Sequence, residues 1–85
     1  MGAVTGCVRL DPVEHVLIAR AYAEPVDIAA PLSAMTTPYV AVATITIAGD
    51  TAYIQALHGE MTHAIHREVR ARLADRGVIR ILWRR

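Results

Sequence analysis

The chain contains no lysine, one cysteine, one serine and four aromatic residues, Tyr22, Tyr39, Tyr53 and Trp83. Each scarcity removes a class of function. A lone Cys7 rules out an intrachain disulfide and a cysteine-rich zinc site, and reads as a small buried hydrophobe. Ser33, the only serine, lies in an irregular stretch with no acid–histidine pattern around it, which argues against nucleophilic catalysis. Few aromatics for stacking bases, a pI near 8.0 and the lack of a recognised motif argue against nucleic acid. The N-terminus lacks the basic segment and apolar core of a secretory signal, so a cytoplasmic location, or an assembled particle in a cytoplasmic host, is expected.

What is present is apolar and unevenly charged. Of the 85 residues, 54% are hydrophobic and the mean hydropathy is +0.33. One domain of this size buries only about 60–65% of its unfolded surface. Part of the apolar surface is therefore expected to face a partner or a second copy. Residues 1–60 carry Asp11, Glu14, Glu24, Asp27, Asp50 and Glu60 against Arg9 and Arg20, a net of −4. Residues 61–85 carry seven arginines against Glu68 and Asp75, a net of +5. All nine basic residues are arginine, whose planar fork suits fixed contacts with carboxylates.

The 22 residues from Ile28 to Gly49 carry no charge, a length that can span a bilayer. Pro31, Pro38, Ser33 and four threonines (Thr36, Thr37, Thr44, Thr46) favour a loop and strand instead, and no membrane association is expected.

Cys7 to Leu10 reads as a short strand. Asp11, Pro12 and Glu14 match an N-cap, first position and capping box, predicting a helix over 12–23 that buries Val13, Val16, Leu17 and Ala21. Glu24-Pro25 stops it. Residues 25–38 read as an irregular connection with a single turn around Ala30 to Met35. Tyr39 to Ala48 and Ala52 to Leu57 read as strands, and Gly49-Asp50 between them predicts a type II′ hairpin. A second helix is predicted over 61–76, with Met61, Ile65, Val69 and Leu73 as its apolar stripe and Gly77 as its left-handed stop. Val78 to Trp83 reads as a strand covered on both faces. The expected fold is α+β: one domain over residues 1–85, with a small mixed sheet of three to four strands and two helices, in the order β-α-loop-β-β-α-β.

His58, Glu60, His63 and His66 crowd within nine positions, but their spacing matches no compact metal motif and two arginines follow on the same face. No metal and no cofactor is expected. If the apolar stripe faces the sheet, His63, His66, Arg67 and Arg70 point outward together, with Arg84 and Arg85 extending from the last strand. These six are the candidate partner-binding residues, directed at an acidic protein surface such as the 1–60 half of another copy.

The opening Val8-Arg9-Leu10-Asp11-Pro12-Val13-Glu14-His15 resembles the first strand and helix of the GNAT family of N-acetyltransferases. The segment from Tyr39 to Arg84 is similar to that family's central ββαβ, with Ala74-Asp75-Arg76-Gly77-Val78-Ile79-Arg80-Ile81 as its helix-to-strand junction. The resemblance implies acyl-CoA binding or minimal acetyl transfer. In place of the family's glycine-rich pyrophosphate loop stands His58-Gly59-Glu60-Met61-Thr62-His63, with one glycine and an acid. It therefore implies a shortened scaffold without its cofactor, and carries over no catalytic residue. The leading expectation is a non-catalytic structural or interaction module in a homo-oligomer or larger assembly, such as a phage virion.

Overall fold

A computed structural model describes residues 5–31, 33 and 35–84. Five strands and one helix follow in order: β1 (Thr5–Val13), β2 (Val16–Asp27), β3 (Ala41–Ala48), β4 (Thr51–Gly59), α1 (His63–Ala74) and β5 (Arg80–Trp83). The strands form one sheet in the order β1-β2-β3-β4-β5, antiparallel except that β5 runs parallel to β4. The expectation of two helices and three to four strands is corrected by this architecture.

The correction lies in residues 12–23. Their helix-start signals are each worth only about 1 kcal/mol, whereas as a strand the segment pairs on both sides, with β1 and with β3. Leu17, Ala19 and Ala21 are buried, alternating with half-buried Val16, Ile18 and Arg20, the period of two of a strand. The supposed capping residues take other work. Asp11 pairs with Arg9 and Arg20, and Pro12 sits on the edge strand, where a missing N–H does little harm. Glu14, at φ 55°, turns the two-residue β1–β2 hairpin. Pro25 does not end a helix but lies in a bulge, where Tyr22 to Pro25 stand opposite Cys7 alone.

β3 and β4 close on Gly49-Asp50. Gly49 has φ 62° and Asp50 no positive φ, the sign pattern of a type II′ turn. The connection before β3 includes Leu32 and Ala34, so the turn expected around Ala30 to Met35 lies partly outside the described residues. Among the described residues, no helix is long and apolar enough to cross a membrane.

α1 begins at Thr62, whose hydroxyl accepts from the Ile65 N–H at 3.2 Å. It ends in a Schellman pattern: Gly77 (φ 86°) donates to the Ala74 carbonyl at 3.0 Å and Val78 to the Leu73 carbonyl at 3.1 Å. Its buried stripe is Ile65, Val69 and Leu73, with Met61 packed beside it. These meet Val8, Leu10, Leu17, Ile45 and Ile54 in one core. Five alanines of the central strands (Ala19, Ala21, Ala41, Ala43, Ala52) share that core, their small side chains leaving room for the helix.

The last strand was expected to be covered on both faces, but only Ile81 and Trp83 pack against the core, while Arg80 and Leu82 on the other face are exposed; β5 also forms an edge of the sheet. Ile79, just before it, is 75% exposed and Leu82 is 49% exposed.

Candidate functional site

Helical geometry decides which residues α1 turns outward. With Ile65, Val69 and Leu73 on the sheet, residues about half a turn away face solvent, and His63, Arg67 and Arg70 are all exposed. His66 departs from the expected outward set. It lies at the flank of the helix, half-buried, with its ring stacked on Trp83 at 4.6 Å between centroids and 21° between planes. Arg84 donates its backbone N–H to the Ile54 carbonyl at 2.7 Å, and its side chain is exposed. Arg85 lies outside the described residues.

The ion pairs sort the arginines into two groups. Arg9 and Arg20 share Asp11 at 3.0 and 3.2 Å, and Arg72 approaches Glu68 at 3.9 Å. Arg67, Arg70, Arg76, Arg80 and Arg84 make no ion pair among the described residues, and all five are exposed. The unmatched positive charge is thus concentrated on α1, the turn after it and β5.

Beside this charge lies a cleft of about 670 Å³, built by the sheet itself. β4 and β5 pair only from Thr51 opposite Arg80 to Ile54 opposite Trp83. Farther along, β4 bulges where Ala43 faces both Ala56 and Leu57, and Ala56 takes φ 54°. From there β4 follows β3 alone as far as Gly59. The opening is lined by Leu57, His58, Met61, His66, Trp83 and Arg84.

The expected histidine–glutamate crowd is divided by this geometry. His58 and His66 line the cleft, whereas Glu60 lines a second cavity of about 350 Å³ between α1 and the β1–β2 bulge. His63 lies on the exposed helix face.

One feature had no sequence signal. Glu68 and Arg72, an i,i+4 pair that reads as ordinary surface charge, reach the backbone of β1. The Glu68 carboxylate accepts from Cys7 N–H at 3.1 Å and Val8 N–H at 2.7 Å, and Arg72 donates to the Val8 carbonyl at 2.8 Å. β1 is an edge strand and the bulge in β2 interrupts its pairing at Cys7, so these backbone groups lack a strand partner and the clamp supplies one. Gly6 makes room for it, since a Cβ there would stand 2.9 Å from a Glu68 oxygen.

Cys7 is half-buried rather than fully buried. Its thiol is pushed up from the ordinary range, first by burial and then by the Glu68 charge. Glu68→Ala should therefore destabilise the fold by about 1–3 kcal/mol, the magnitude expected for stranding buried donors. It should also speed alkylation of Cys7 by iodoacetamide under native conditions, because the thiolate is the nucleophile. A loss of stability without faster alkylation would mean that the Glu68 charge does not govern the thiol.

No protein-family model, no curated protein and no solved structure matches the chain.

Proposed function

We propose that the protein is a non-catalytic interaction module that assembles with copies of itself. The exposed arginine surface of α1 docks on an acidic face of a neighbour. The observation that carries this reading is the group of five exposed arginines without an ion pair among the described residues. Glu14, Glu24, Asp27, Asp50 and Glu60 are exposed on the preceding part of the chain and supply the complementary charge. Exposed Val13, Tyr39, Val40, Leu57, Ile79 and Leu82 supply apolar area for such a contact. An assembled particle such as a virion is one setting for a small module of this kind.

Charges at the rim of an interface set association rate and orientation, and salt screens them. Arg67→Glu with Arg70→Glu should weaken assembly while leaving the circular dichroism spectrum unchanged, because neither side chain packs in the core. Unchanged assembly in the double variant would mean that the α1 face is merely solvated.

The cleft between β4 and β5 favours a second reading, acyl-CoA binding. Leu57, Met61 and Trp83 offer an apolar wall to an acyl or pantetheine chain. Of the likeness to acetyltransferases, the strand–helix opening is absent, since Val8 to Val13 is strand and Glu14-His15 a turn. The diphosphate end of CoA does not fit the residues present. Glu60 is an exposed acid just before α1, and Gly59 packs its Cα against the Val40–Ala41 backbone instead of opening a cradle. Titration calorimetry with acetyl-CoA separates the two readings: the first predicts no binding, and micromolar affinity would put the second ahead.

A further inference from the structure

We infer that the free edge of β5 is a peptide-docking site that adds one extended strand from a protein carrying the pattern acid–apolar–apolar–apolar–acid. This rests on the interaction-module reading and names a second contact for it.

The two edges of the sheet differ. The β1 edge is blunted by Pro12 and by the Glu68–Arg72 clamp on the backbone of Cys7 and Val8. The β5 edge has no such cover among the described residues. Its inward donors are fixed by Arg80 N–H to the Asp50 carbonyl at 3.2 Å and Arg84 N–H to the Ile54 carbonyl at 2.7 Å. By the alternation of a strand, the backbone N–H groups of Ile81 and Trp83 point away from β4, toward an empty edge. An added strand satisfies them, which is the physical basis of β-augmentation.

The side chains define what that strand carries. Ile81 and Trp83 stand beside Ala52 and Ile54 and pack against the core, so neighbours on that face are apolar. Arg80, Leu82 and Arg84 alternate with them on the other face, where Leu82 stands beside Tyr53. A docked strand therefore meets arginine at its two ends and apolar surface at its three middle positions. Within this chain no two acids stand four residues apart, so a copy of itself supplies no matching segment. Antiparallel pairing of two β5 strands about Leu82 would set Arg80 against Arg84, a like-charge contact. Both facts favour a different protein as the source.

The probe is a fluorescein-labelled peptide, Ser-Asp-Val-Val-Ile-Glu-Ser, followed by anisotropy with the full chain. Saturable binding is expected, weakened about tenfold or more when lysine replaces both acids and likewise by Arg80→Glu with Arg84→Glu. Amide hydrogen exchange locates the contact. Ile81 and Trp83 should exchange rapidly in the free protein and slowly with peptide, while Leu82, bonded toward β4, stays protected throughout. Equal binding of the lysine peptide, no binding at millimolar concentration, or Ile81 and Trp83 already protected in the free protein would each overturn the inference. Loss of peptide binding leaves the α1 reading standing if Arg67→Glu with Arg70→Glu still disrupts assembly.

Discussion

Replacing Gly59 by alanine is expected to destabilise the protein by roughly 3 kcal/mol, a large share of the ~5–15 kcal/mol that holds a domain folded. Gly59 ends β4 at φ 96°, a conformation that side-chain-bearing residues rarely adopt. It also lies against β3. A Cβ there would collide with the Val40 carbonyl oxygen and stand 2.8 Å from the Ala41 Cα. The left-handed conformation contributes about 1 kcal/mol and the backbone collision about 1–3 kcal/mol more. Gly49→Ala is the control: it has φ 62° but nothing within 4 Å of the added carbon. That variant should lose only about 1 kcal/mol. Urea unfolding of both proteins measures the difference. Equal losses would show that the approach of Gly59 to β3 is not a constraint.

A second large effect is expected at Asp11. Arg9 is 3% exposed, and its guanidinium donates to Asp11 through Nε at 3.4 Å and Nη2 at 3.0 Å. Asp11 accepts from Arg20 as well, at 3.2 Å. The hydrogen bond that Arg9 donates to Asp11 pushes its guanidinium further toward the charged form, against the opposing effect of burial. Removing the acid leaves a buried cation whose remaining hydrogen-bond partner among the described residues is the Asp27 carbonyl, at 3.4 Å. Asp11→Ala should therefore lose about 2–4 kcal/mol, read as a lower urea midpoint. The penalty belongs to the stranded charge rather than to the pair, so Arg9→Met in the same background should recover most of it. If the double variant is less stable than Asp11→Ala alone, the pair itself holds the fold.

Asp11 and its neighbours show how far the sequence could be read. Asp11, Pro12 and Glu14 formed a locally consistent helix start, yet they shape an edge strand and a hairpin. The alternation of Leu17, Ala19 and Ala21 was hard to see because alanine contrasts weakly with its neighbours, and pairing on both sides outweighs local capping. The α1 stripe was legible because Ile65, Val69 and Leu73 are large and spaced by four, and the Gly77 stop and Gly49-Asp50 turn because both need a positive φ. The concentration of arginine was visible as composition. Which arginines lack ion partners among the described residues was not, since that depends on Asp11 reaching Arg20 and on Glu68 turning toward β1. Contacts such as His66 on Trp83, or Glu68 on the Cys7 N–H sixty-one residues away, join distant parts of the chain and leave no local pattern. The cleft follows from β4 and β5 parting after Ile54, a feature of strand pairing that spacing does not encode.

The central claim is that the arginine face of α1 joins copies of this chain through acidic surfaces. Light scattering coupled to size-exclusion chromatography, at moderate and then high salt, tests it most directly. The account predicts a mass above the 9.3 kDa of a single chain at moderate salt, falling toward that value as salt rises and in Arg67→Glu with Arg70→Glu. A single-chain mass at every salt concentration, the same in the double variant, would contradict it.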